Sequence, residues 1–86
     1  MSYYVYLIAT NRKKKIISYV GYAKEVKKRI FLHNNSKGAK FTKGNNWQLL
    51  YKKKYSTKSI AMSEEHKLKK NYKLRKLFKK RYNRFK

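Results

Sequence analysis

Cysteine and aspartate are absent from this chain of 86 residues, glycine occurs three times, and glutamate supplies all three acidic side chains. Without cysteine there is no disulfide framework and no thiolate zinc site, so a modest core must hold the fold. A chain this short buries only about 60 to 65% of its unfolded surface, which makes each large side chain count. The scattered glycines do not form the glycine-rich loop that cradles a nucleotide phosphate. No apolar run approaches the roughly 20 residues that cross a bilayer, and the N-terminus lacks the basic, apolar, small-residue order of a signal peptide. The expectation is a single soluble, cytoplasmic domain with no membrane role.

What is abundant is positive charge: 26 Lys and Arg against 3 acidic residues give a formal net charge of +23. A codon skew toward A and T would enrich Lys, Asn, Ile and Tyr, but it would enrich Asp and Glu too, and those are depleted. The field therefore points to a polyanionic partner. Aromatic residues make up 16% of the chain and interleave with the basic ones, which favours nucleic acid over a membrane surface.

The stretch YYVYLIAT, residues 3–10, is rich in aromatic and β-branched residues and reads as a strand covered on both faces. NRKKK, residues 11–15, is turn-capable, and IISYVGY, residues 16–22, resumes strand character. A hairpin with a loop of about five residues would join the two strands. After Gly21 the period changes: Val26, Ile30 and His33 recur at helical spacing and predict a helix over 24–34. Residues 34–46 carry Gly, Asn and Ser in loop proportions, and WQLLYKKKY, residues 47–55, reads as a third strand. Thr57 is placed to cap a helix over 58–72. In the remaining segment, 72–86, Leu74, Leu77 and Phe78 recur at helical spacing among Lys and Arg, as in a short third helix or a basic arm that orders on binding. The predicted class is α+β, sandwich-like: a small three-stranded mixed or antiparallel sheet flanked by helices in the order β-β-α-β-α, with an optional last helix.

Scarce acid narrows the chemistry. Hydrolysis with Mg²⁺ or Mn²⁺ needs at least one hard oxygen ligand, and only Glu25, Glu64 and Glu65 offer one. Glu25 lies four residues before Arg29, the spacing of an intrahelical ion pair. Glu65 shares a helical stripe with Ala61, Leu68 and Tyr72, while Glu64 shares one nearly as good with Ile60 and Leu68; periodicity does not separate them. Arg29 and His33 stand one turn apart, where they could clamp a phosphate oxygen and relay a proton, or be members of a basic face and a half-buried histidine. Gly21 signals a strand end or a close backbone approach. The nine tyrosines are core or stacking platforms, and strand alternation puts Tyr4 and Tyr6 on one face and Tyr3 and Val5 on the other.

In combination, a tyrosine-bearing first strand, Tyr19-Val20-Gly21 on the second, Arg29, His33 and a later helix glutamate resemble the GIY-YIG nuclease domain. SKGAKFT, residues 36–42, is similar to Gly-Lys-Gly-Ala-Lys-Tyr-Thr of the minimal stand-alone UPF0213 group, and STKSIAMSEEHKLKK, residues 56–70, to that group's Ser-x-Ser-x-Ala-x-x-x-Glu segment. The resemblance spans residues 3–77 and implies a nuclease domain over 1–77 followed by a basic tail over 78–86. Tyr6 and Tyr19 would fill the two motif tyrosines, Arg29 and His33 the helix positions, and Glu65, rather than Glu64, the metal position. Two positions depart from the pattern: Tyr4 stands where the first motif opens on glycine, and for an asparagine after the glutamate only Asn71 is a candidate.

The implied activity is hydrolysis of phosphodiester bonds in DNA, more than RNA, by a low-specificity endonuclease acting on single-stranded or structured substrates, in DNA repair or defence. Glu65 would hold Mg²⁺ or Mn²⁺, a tyrosine, Tyr6 ahead of Tyr19, would help activate water, and Arg29 would stabilise phosphoryl charge. No small-molecule cofactor is expected. Lys37, Lys40, Lys43, Lys69, Lys70 and Arg75 are the candidate nucleic-acid contacts. The competing expectation is a non-catalytic basic protein that holds DNA or RNA on a nuclease-like fold, with a membrane-active basic helix a weaker third.

Overall fold

The apolar run near the N-terminus forms β1 (Tyr3–Arg12), the central strand of a sheet ordered β2-β1-β3, with β2 at Lys15–Ala23 and β3 at Gln48–Tyr55. The computed structural model describes residues 2–42 and 44–84. Val5, Tyr6, Leu7, Ile8 and Ala9 are each at most 2% exposed, which explains the missing polar alternation: both faces of β1 are covered. Both pairings are antiparallel, so the sheet is not mixed. Between Leu7 and Ile8 the register with β3 shifts, from Leu7 opposite Tyr51 to Ile8 opposite Leu49.

The hairpin is tighter than the sequence suggested. Arg12 pairs with Lys15, so the polar residues Asn11, Arg12 and Lys15 belong to the strands and only Lys13 and Lys14 form the turn. Their φ values of 50° and 68° are the left-handed pair that lets a two-residue turn follow the strand twist. Polar composition here marked exposed strand ends rather than loop.

Alternation along β1 deals side chains to two cores. Val5 and Leu7 join Val20, Ala61, Leu68 and Phe78 beneath α2 (Lys58–Lys70) and α3 (Tyr72–Arg84). Tyr6 and Ile8 face the other way, with Trp47 and with Val26 of α1 (Val26–Asn34). Helix α1 starts two residues later than the apolar period indicated, because Glu25 keeps an extended backbone at the N-cap. Only the backbone bond from Arg29 N–H to the Glu25 carbonyl, 3.1 Å, links those two residues, and the expected ion pair does not form. Thr57 does cap α2, accepting from the Ile60 N–H at 3.1 Å.

The helix expected over 58–72 ends at Lys70. Asn71 interrupts it, and its Oδ1 accepts from the Leu74 N–H at 3.1 Å, starting α3. Phe78 and Tyr82 of α3 are buried, and Phe78 stacks on Tyr51 with centroids 4.7 Å apart and planes at 26°. Residues 72–84 are therefore a packed helix rather than a loose arm, continuous through position 78. Among the described residues no helix is long and apolar enough to cross a membrane.

Two measurements check this account. Lys13→Asn with Lys14→Gly relieves the left-handed strain of two residues with side chains and should raise the unfolding free energy by about 1 kcal/mol in urea titration. Phe78→Ala should cost about 3 kcal/mol, whereas Leu77→Ala next to it, exposed by 57%, should change stability by less than about 0.5 kcal/mol. Equal small effects at 77 and 78 would show that α3 is not anchored through its aromatic face.

Candidate active site

Tyr6 lies opposite Gly21 on the edge strand β2. A Cβ at Gly21 would stand 2.5 Å from the Tyr6 hydroxyl oxygen and 2.7 Å from its Cζ, so the phenol ring occupies the space a side chain would fill. The lone glycine is room for that ring. Its place in the sequence signals a close approach but not the approaching group.

Here Tyr6 of β1, Tyr19 of β2, Arg29 of α1 and Glu65 of α2 wall one cleft of about 620 Å³. Glu64 lines a different, smaller cleft with Tyr51, Tyr55 and Asn71. That geometry distinguishes the two glutamates that helical periodicity left level. Asn71 lies away from the Glu65 cleft, as the cap of α3. Lys28 and Lys58 also line the Glu65 cleft, and neither stood out in a sequence where lysine is everywhere.

His33 does not face the cleft. It is 1% exposed, with its Nε2 2.8 Å from the Tyr6 hydroxyl and its Nδ1 2.8 Å from Thr42 Oγ1. A histidine so enclosed reaches a phosphate only through Tyr6. Its surroundings indicate which nitrogen carries the proton. Thr42 Oγ1 accepts from the Ala39 N–H at 3.1 Å and lies 2.9 Å from the Ala39 carbonyl, which can only accept. The single hydroxyl hydrogen of Thr42 therefore goes to Ala39, Nδ1–H of His33 donates to Thr42, and the bare Nε2 accepts from Tyr6. Gly38 completes the enclosure, since a Cβ there would overlap the His33 ring. Within SKGAKFT charge singles out only the lysines, whereas Gly38 and Thr42, which enclose and fix His33, carry no signal of charge or period.

Burial raises the pKa of Tyr6 well above the ordinary phenol value, with Tyr19 and Glu65 adding to the shift and Arg29 opposing it. Burial lowers the pKa of His33, and the Arg29 charge adds to that. Both groups are thus neutral near pH 7, in keeping with a phenol O–H donating to an unprotonated imidazole nitrogen.

Among the described residues no group of three His, Cys, Asp or Glu side chains gathers; the carboxylates that line this cleft are Glu65 and Glu25, and a divalent ion there would take one or both as protein ligands. That donor set suits Mg²⁺, which keeps several waters and is often held by one or two carboxylates plus substrate phosphate oxygens. Lys69 Nζ lies 3.5 Å from Glu65 Oε1, but its side chain is half exposed and can swing away.

The candidate nucleic-acid contacts are dispersed. Lys37 and Lys40 are exposed between α1 and β3, and Lys70 is exposed at the end of α2. Arg75 is half-buried over the Tyr72 ring, 6.0 Å from its centroid, with its Nε enclosed. Lys43 lies outside the described residues.

Comparison with known proteins shows the family. The profile of the GIY-YIG catalytic domain matches residues 2–83. A UPF0213 protein of Staphylococcus saprophyticus is 41% identical over 68 residues, 78% of this chain and 79% of the relative. One from Staphylococcus epidermidis is also 41% identical over 68 residues, with the same coverage of both chains. One from Oceanobacillus iheyensis is 38% identical over 68 residues, 78% of this chain and 76% of the relative. No solved structure matches the chain. With a family profile covering nearly the whole sequence and relatives aligned over most of it, the chain belongs to the GIY-YIG catalytic domain family, a family of nucleases.

Proposed function

We propose that the protein is a divalent-metal-dependent endonuclease that hydrolyses phosphodiester bonds in DNA with low sequence specificity. The observation that carries this reading is the convergence of Tyr6, Tyr19, Arg29 and Glu65, from four separate elements, on one cleft of a chain with net charge +23. Dispersed lysines hold the phosphate chain without reading bases, and the cleft supplies the chemistry.

Arg29, exposed at the cleft, binds the scissile phosphate and stabilises the charge that grows on its non-bridging oxygens. Tyr6 accepts the proton of the attacking water as its own hydroxyl proton passes to Nε2 of His33, so no free phenolate forms. His33, neutral and fixed by Thr42, stores that proton away from solvent. The water oxygen bonds to phosphorus as the bond between phosphorus and the leaving sugar oxygen breaks; that oxygen takes a proton from water in the open cleft, and the hydroxide left behind is neutralised when the stored proton returns through Tyr6. Glu65 would hold the divalent ion, which when bound supplies Lewis-acid polarisation of the phosphoryl group.

The test uses single-stranded, duplex and branched DNA with Mg²⁺, with Mn²⁺ and with EDTA. Wild-type protein should cleave at least one of these only with metal, and Glu65→Gln should abolish cleavage. Arg29→Ala should lower turnover by about 10²- to 10³-fold and Tyr6→Phe by about 10²- to 10⁴-fold, with affinity nearly unchanged because one charge among 26 is lost or none. A wild type that binds but never cleaves beyond Glu65→Gln would leave a protein that only holds nucleic acid.

The neutral His33 makes a separate, signed prediction. Its folded pKa is below the unfolded one, so the unfolded chain binds more protons between that lowered value and about pH 6.5. Stability therefore rises with pH through this window and falls as acid is added. Urea unfolding at a series of pH values should show that slope, and His33→Gln should flatten it. An unchanged slope would remove the buried neutral base from the mechanism.

A further inference from the structure

Phe41 is the one exposed large apolar side chain among the described residues whose ring packs on an aromatic wall of the cleft. It is 51% exposed, and its ring stacks on Tyr19 with centroids 6.1 Å apart and planes at 22°. Trp47 supports it from another side at 6.2 Å and 42°. The other exposed apolar residues, Phe31, Ile60, Met62, Tyr72 and Leu77, lie on the helices α1, α2 and α3.

Phe41 is held there by its neighbours. It sits in the 3₁₀ turn Lys40–Thr42, whose Thr42 is fully buried and bonded to Ala39 through both backbone and hydroxyl. The Trp47 indole N–H donates to the Thr42 carbonyl at 2.9 Å. An aromatic ring fixed in advance loses little freedom when a ligand stacks on it. A partially exposed single ring is too small to nucleate a protein interface, which needs roughly 800 Å² from each side. Exposed Lys37 and Lys40 flank it in sequence, so its surroundings select a flat apolar group attached to negative charge.

We propose that Phe41, backed by Tyr19, is a stacking platform for one unpaired nucleobase beside the cleft, making single-stranded DNA the preferred substrate. This rests on the nuclease reading for the meaning of the cleft. In a duplex each base is already stacked and paired, so its face is closed to Phe41; in a single strand the base next to the scissile phosphate is free to rest on the ring. The same ring bears on Tyr19, which walls the cleft, so a base seated there would position its own phosphate toward Arg29.

The experiment measures binding, in Glu65→Gln protein so that no strand is cut, by anisotropy of a labelled oligothymidine, an abasic strand of equal length, and a hairpin duplex with the same number of phosphates. The single tryptophan, Trp47, gives an independent signal, since a base on Phe41 should quench it. Expected are oligothymidine affinity about tenfold above that for the abasic strand, loss of that margin in Phe41→Leu, retention in Phe41→Tyr, and no change on the duplex. The wild-type comparison of thymidine and abasic strands needs no variant at position 41, so it stands even if Phe41→Leu folds poorly. Equal affinity for those two strands, or equal loss on single strand and duplex, would overturn the platform. Failure of cleavage in the metal assays would not alter these binding ratios, and failure of the ratios would leave cleavage intact.

Discussion

The hydrogen bond between the Tyr6 hydroxyl and His33 Nε2, 2.8 Å long and closed to solvent, joins the centre of the sheet to the last turn of α1. Both partners are polar and at most 1% exposed, so leaving either unpaired would cost about 1 to 3 kcal/mol. The constraint propagates outward. Gly21 has no side chain because the Tyr6 ring lies there, Gly38 has none because the His33 ring does, and Thr42 is buried because it holds the other imidazole nitrogen. Arg29 sits one turn before His33 on the same helix, so the bond that docks α1 also aims the guanidinium at the cleft. Structure and the proposed chemistry share a single contact.

A chain with so little acid cannot stabilise itself with ion pairs. The two that form among the described residues, Glu64 with Lys67 and Glu65 with Lys69, are partly exposed and contribute at most about 1 kcal/mol each. Aromatic rings do the corresponding work. Lys24 lies over Tyr3, Lys52 over Tyr4, Lys53 over Tyr55 and Arg81 over Phe78, at 5.3 to 5.7 Å from the centroids. The consecutive lysines of β3 are thereby tolerated on a strand, and on an edge strand they also discourage pairing with another chain. The uncompensated charge remains a source of self-repulsion, which a bound polyanion relieves.

The fold was legible where one physical cause dominated. The unbroken apolar run of β1 declared a strand buried on both faces, and Thr57 declared a helix start through its hydroxyl. Where two causes compete, the sequence was silent or misleading. Asn11 and Arg12 are polar because they are exposed strand ends, which composition cannot distinguish from a loop. Asn71 breaks a helix that the apolar period carries through it. At the site, Glu65 and Glu64 had almost equal claims until the placement of α2 on the sheet put them in different clefts. His33 gave no sign of full burial, because the residues that enclose it, Gly38 and Thr42, lie in a loop whose path no periodicity encodes.

Binding spread over so many cations has a consequence for selectivity. Each lysine attracts any phosphate chain, so removing one weakens every complex alike, and no single charge tells one nucleic acid from another. Discrimination must then come from the uncharged surface near the cleft. On the proposed reading Arg29 and Glu65 address the phosphate, which all substrates share. Tyr6, 1% exposed, offers the cleft too little open surface for a base to stack on, and Tyr19 is covered in part by Phe41 and His33. Tyr3 and Tyr22 also line the cleft but are only partly exposed, whereas Phe41, stacked on Tyr19 beside it, is 51% exposed, and a flat ring selects for a base that is free of its neighbours. On the proposed reading, the basic field accounts for holding a strand, and the exposed ring accounts for which strand would present its phosphate.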